Sequence, residues 1–116
     1  MTDNKTLLNG TLEYSSDMFV ACQVEEILST IYKEIAESSL FKSAEINLSG
    51  QKVEFTLVDG SPHLPYVNLR LQFALGPSHK QLDAFVDALQ EVVSDHLPGG
   101  MILPVFLLPS YVSSVN

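Results

Sequence analysis

Several residue types are scarce in this chain of 116 residues, and each scarcity excludes something. There is one cysteine, Cys22, so no disulfide can form within the chain. It lies among apolar residues near the start of a predicted helix and reads as a buried small hydrophobe rather than a reactive thiol. Basic residues number only 6 against 14 acidic ones, for a net charge of −8. A surface this acidic repels phosphate backbones and anionic lipid, which argues against nucleic-acid binding and membrane docking. Arg70 is the only arginine, so the chain is poor in the forked donors that usually grip anionic substrates. Gly and Pro number six each, too few for a linker-rich chain. The longest apolar stretch, Met101 to Pro109, is too short to span a bilayer and is interrupted by Pro104. The amino terminus shows no basic region followed by an apolar run, so no signal peptide is expected and the cytoplasm is the expected location.

What is present is the balance of a globular protein: 46% hydrophobic and 17% charged residues over a length that suits one domain, 1–116. Thr11 to Tyr14 alternates as a short strand, and Ser16 or Asp17 can cap the helix that follows. Val20, Val24, Ile27, Leu28, Ile31 and Ile35 recur at helical spacing, with Gln23, Glu26, Lys33 and Glu34 on the other face. Ile46 and Leu48, then Val53, Phe55 and Leu57, read as two short strands joined by a turn at Ser49-Gly50. Asp59-Gly60-Ser61-Pro62 breaks the chain. Tyr66 to Leu75 is a cleanly alternating strand, with Asn68, Arg70 and Gln72 on its polar face. Ser78 followed by Gln81 is a capping-box signature, and Leu82, Phe85, Val86, Leu89 and Val93 continue as an amphipathic helix. Pro98-Gly99-Gly100 stops it, and Met101 to Leu108 is continuously apolar, as in a strand covered on both faces.

The expected fold is therefore α+β, two β-α-β units in β-α-β-β-β-α-β order. They build a four-stranded-core mixed sheet with two helices on one face. Helices covering one face leave the other, with its apolar last strand, to be covered by a second subunit.

Candidates for chemistry are sparse. His63 in a proline-flanked loop, His79 in the first turn of the second helix and His96 near its end show no metal-ligand spacing. Neither a phosphate-binding glycine loop, a nucleophile elbow nor a paired-cysteine site occurs. Asp17 reads as a cap, and Glu25 and Glu26 as solvated face. No metal or cofactor is expected.

In order and spacing, several pieces resemble the 5-carboxymethyl-2-hydroxymuconate isomerase family of the tautomerase superfamily. They are Leu12-Glu13-Tyr14-Ser15, Val58-Asp59-Gly60, and Tyr66 to Phe73 running through Gly76-Pro77-Ser78 into a helix ending at His96-Leu97. The resemblance spans roughly residues 8 to 108 and implies a trimer of tautomerase-like protomers. It also implies an amino-terminal proline acting as general base, its pKa lowered by an apolar pocket. That position falls on Leu8, behind an extension of residues 1–7. The substrate arginines of the family fall near Asn47 or Leu48 and on Pro77. Leu8, Arg70 and Pro77 are thus the pocket candidates, with no catalytic residue assigned. Three readings stay open: a small-molecule-binding homotrimer without proline chemistry, a non-enzymatic oligomeric interaction module, and an enzyme with a relocated base such as His63 or Glu13.

Overall fold

A computed structural model describes residues 7–15, 18–42, 44–53, 57–62, 66–74 and 77–110. Their elements are β1 (Leu7–Ser15), α1 (Ala21–Glu37), a 3-10 turn (Ser39–Phe41) and β2 (Glu45–Val53). A short hairpin of β3 (Leu57–Val58) and β4 (Ser61–Pro62) follows, then β5 (Val67–Ala74), α2 (His79–Ser94) and β6 (Val105–Ser110). The main sheet runs β2-β1-β5-β6. β1 pairs parallel with β2 and β5 parallel with β6, while β1 and β5 meet antiparallel at the centre. Each half is one β-α-β unit, and the expected mixed sheet with both helices on one face is the architecture observed.

Register assigns the faces. Leu8 and Leu12 of β1 and Val67, Leu69, Leu71 and Phe73 of β5 are buried beneath the helices. They meet Val24, Ile27, Ile31 and Ile35 of α1 and Leu82, Phe85, Leu89 and Val93 of α2 in one core. Each fully buried leucine or isoleucine contributes about 1.5–3 kcal/mol. Phe41 closes one end, edge-to-face with Phe73 and Phe85 at centroid separations of 5.6 and 5.2 Å.

The helix starts differ. At α2 the capping box forms as its residues predict: Ser78 Oγ accepts from the Gln81 amide at 3.2 Å, and Gln81 Oε1 accepts from the Ser78 amide at 2.9 Å. At α1 the expected caps, Ser16 and Asp17, lie outside the described residues. The N-cap is Val20, whose amide donates to Gln23 Oε1 at 2.9 Å. Val20 therefore precedes the helix and is exposed, not part of its buried stripe.

Two turn assignments are corrected. Ser49-Gly50 is no hairpin: β2 runs straight through it, parallel to β1 from Glu45 to Val53. Gly50 is small because α1 crosses there; a Cβ would stand 2.8 Å from Val24 Cγ1. The hairpin is one step later, where Asp59 and Gly60 link β3 to β4 with φ of 52° and 82°. Positive φ at both positions is what a two-residue type I′ turn requires, and Asp-Gly supplies it. β1 also starts earlier than the alternation from Thr11 suggests, with Leu7 paired to Glu45. Among the described residues no helix is long and apolar enough to cross a membrane.

Candidate functional site

The sheet face away from the helices carries the most concentrated polar chemistry. Alternation and register align Ser49, Thr11, Arg70 and Phe106 in one row across the four strands, and Asn47, Asn9, Gln72 and Leu108 in the next. Toward the far end of β1, Gln51, Glu13 and Asn68 stand side by side. Phe106, Leu108 and Leu7 are each about half exposed, at 49%, 46% and 46%. The expectation that β6 is covered on both faces therefore fails within one protomer: Leu103 and Val105 turn in, while Phe106 and Leu108 stand on the open face.

Arg70 is 54% exposed, and its Nη2 lies 3.5 Å from Oε1 of Glu13, whose side chain is only 16% exposed. Asn68, assigned by alternation to the solvent side, is buried, and its carboxamide meets the Tyr66 hydroxyl at 2.6 Å. The buried Asn68 Oδ1 and Glu13 Oε1 have no hydrogen-bond partner among the described residues. Cross-strand neighbours in an antiparallel pair have Cβ atoms about 4.5–5.5 Å apart, so these two side chains are within reach of each other.

Leu8 is fully buried inside β1 opposite Ile46 and faces the helices. Arg70 stands on the opposite face, and Pro77 is half-buried just before the α2 cap. The three pocket candidates therefore do not converge within one protomer. One strand beyond Leu8, α1 and the edge strand β2 enclose a groove of about 480 Å³ lined by Leu28, Ser29, Tyr32, Lys33, Ile46 and Leu48. Its floor is apolar, with a phenol and an ammonium at the rim. Apolar periodicity hides such a groove, because Ile46 and Leu48 read simply as core.

Cys22 is exposed, not buried. It occupies the first turn of α1 and lines a shallow cavity with Glu25, Glu26, Ser29, Thr30 and His96. His96 bridges the helices, with Nε2 3.3 Å from Thr30 Oγ1 and Nδ1 4.0 Å from Glu26 Oε2. Thr30 Oγ1 donates to the Glu26 carbonyl at 2.9 Å, so toward His96 it acts as acceptor. His79 is exposed, and His63 lies outside the described residues. No group of three or more His, Cys, Asp or Glu suited to a metal occurs among the described residues.

Two β-α-β units joined antiparallel through β1 and β5 make up the tautomerase-like fold, and solved structures share it. A 5-carboxymethyl-2-hydroxymuconate isomerase from Deinococcus radiodurans R1 is 23% identical, with a TM-score of 0.74 covering 97% of this chain and 89% of the other. A fused 4-OT symmetric trimer is 17% identical, with a TM-score of 0.73 covering 95% and 89%. A macrophage migration inhibitory factor from Toxoplasma gondii is 13% identical, with a TM-score of 0.67 covering 93% and 94%. A search of curated proteins finds no match to the chain. The chain belongs to the 5-carboxymethyl-2-hydroxymuconate isomerase family, whose model matches residues 10–108. That match begins two residues after Leu8.

Proposed function

We propose that this protein is a divergent member of its family that has given up proline-based tautomerisation and binds a small, neutral or weakly charged molecule at a subunit boundary of a homotrimer. The position of Leu8 carries the reading. A catalytic amine must be a chain terminus in an accessible pocket, whereas Leu8 has residues 1–7 before it and a fully buried side chain. The positions where the family resemblance puts substrate arginines hold Asn47, Leu48 and Pro77. Each missing charge-assisted contact forgoes about 1.5–3 kcal/mol, against a protein of net charge −8.

Two observations support a homo-oligomer: the exposed row of Phe106 and Leu108, and the trimeric state of a 4-OT of similar fold. The groove between α1 and β2 lies at a sheet edge, where a neighbouring copy can close it. Its largely apolar lining fits the proposed ligand class better than a dianion. A cytoplasmic setting, where a lone thiol stays reduced, belongs to the same proposal. The exposed Phe106 and Leu108 also favour a second reading, an oligomeric interaction module without a ligand.

The test is enol–keto tautomerisation of a phenylpyruvate-type substrate by the purified protein. Turnover at the buffer background is expected; turnover well above it, abolished by a point substitution in the protein, would overturn the loss of activity. Light scattering checks the assembly, and a clean monomer near 12.8 kDa would sink the homotrimer.

A further inference from the structure

Two buried acceptors on the open face, Asn68 Oδ1 and Glu13 Oε1, the latter held only by its ion pair with Arg70, have one economical resolution. The oxygen and nitrogen of a carboxamide are told apart by their partners. A separation of 2.6 Å to the Tyr66 hydroxyl is short for N–H···O and closer to the usual range for O–H···O. With the Asn68 carboxamide turned over, its oxygen accepts the Tyr66 proton and its NH2 group points at Glu13, directly opposite on β1. Both acceptors then gain a hydrogen-bond donor at once. Without that turn Asn68 Oδ1 has no donor and Glu13 Oε1 has only its ion pair with Arg70.

The chain so formed runs Tyr66, Asn68, Glu13, Arg70, from a half-buried phenol to an exposed guanidinium. It fixes the carboxylate that holds Arg70, so the guanidinium is pre-positioned with donors to spare. Arg70 is the one cation among the described residues of this face. The other carboxylate among the described residues of this face is Glu45, at the start of the edge strand β2 and exposed. Asn47 Nδ2 donates to its Oε2 at 3.3 Å, leaving Oε1 free to accept. Four residues along the strands and two strands across separate Glu45 from Arg70, roughly 16 Å, too far for an ion pair within one copy.

We propose that Tyr66, Asn68, Glu13 and Arg70 form one hydrogen-bonded chain whose guanidinium end engages Glu45 of a second copy of this chain. The proposal rests on the homo-oligomeric reading above. It adds a charge pairing that makes the contact between copies directional: one copy supplies the centre of its sheet, the other an edge. A head-to-tail contact of this kind closes into a ring when its rotation is a whole-number fraction of a turn, as a homotrimer requires. Glu13, Asn68 and Tyr66 are positioning residues, and Arg70 and Glu45 make the contact.

The test is a double-mutant cycle on self-association, using the full chain with Glu45→Gln, Arg70→Gln and both, read by analytical ultracentrifugation. Arg70→Gln leaves Glu13 unpaired in single and double variants alike, so that cost cancels. Glu45→Gln is expected to weaken association about tenfold in the wild-type background and less than about twofold beside Arg70→Gln. An equal effect of Glu45→Gln in both backgrounds overturns this inference and leaves the oligomer standing. A wild-type chain that stays monomeric overturns the oligomeric reading, and this one with it. The chain itself is read by NMR: Glu13→Ala should shift the side-chain amide protons of Asn68, and unmoved protons overturn the proposed orientation.

Discussion

Gly50 offers the sharpest test of how the protomer is built, because two roles for it predict opposite outcomes. In a turn it would be needed for its backbone. In the structure it lies within β2, opposite Leu12, and is absent from the residues with positive φ. Its constraint is steric: a Cβ would stand 2.8 Å from Val24 Cγ1, with Tyr14 and Leu28 carbons at 3.6 and 3.8 Å. Val24 is a stiff β-branched residue on the buried face of α1, so it cannot swing aside cheaply. Gly50→Ala gains about 0.5–1 kcal/mol from the less flexible unfolded chain but incurs about 1–3 kcal/mol of overpacking. A net loss of about 1–2 kcal/mol is expected. Val24→Ala alone should cost about 2 kcal/mol through lost burial and cavity formation. Combined with Gly50→Ala it should cost about 1 kcal/mol less, because the clashing methyl has gone. Urea unfolding at fixed protein concentration measures this, with unchanged m-values indicating that the states themselves are the same. Gly50→Ala as stable as wild type, or strict additivity with Val24→Ala, would refute the close approach of α1 to β2.

Removing the α2 cap with Ser78→Ala should cost about 1 kcal/mol in the same unfolding measurement, since the Gln81 amide loses its acceptor. Cys22 should react with a thiol reagent in the folded protein to one equivalent per chain, as rapidly as in urea; a thiol that titrates only after unfolding would contradict its exposed position. Replacing Phe106 and Leu108 together by Ser should shift self-association toward monomer in light scattering while leaving the far-ultraviolet dichroism of the protomer intact.

These predictions draw on features that differ in how visible they are in the sequence. Local signals carried well: the α2 capping box and the alternation of β5 from Leu69 to Phe73 depend on residues within a few positions of one another, and the structure reproduces them. Signals that depend on what lies opposite did not carry. Gly50 looks like a turn residue until α1 is seen crossing it, and Asp59-Gly60 looks like a chain break until β3 and β4 are seen to pair. Asn68 sits at a position that alternation assigns to solvent, yet it is buried beside Glu13. The exposure of Cys22 escapes the sequence for a related reason: composition around a residue says nothing about which side of a helix's first turn it occupies. Of the candidate site, the identity of Leu8 at the position where the family resemblance puts its proline was legible in the sequence. The polar chain through Glu13, Asn68 and Tyr66 was not, because it joins residues up to 55 positions apart through strand register alone.

That contrast bears on function. On the proposed reading, in which the family's amine and arginines are gone, comparison by sequence reports only what is missing. The polar side chains that the fold nonetheless brings together lie across the sheet from Leu8, on a face whose apolar margin is unprotected in the single protomer. Glu13, its side chain only 16% exposed, gives up much of its hydration to stand beside Arg70, a cost that a contact made by Arg70 would offset. The exposed Phe106 and Leu108 and the ion-paired Arg70 share that face, which ties the apolar and the charged parts of the proposed contact between copies to one surface.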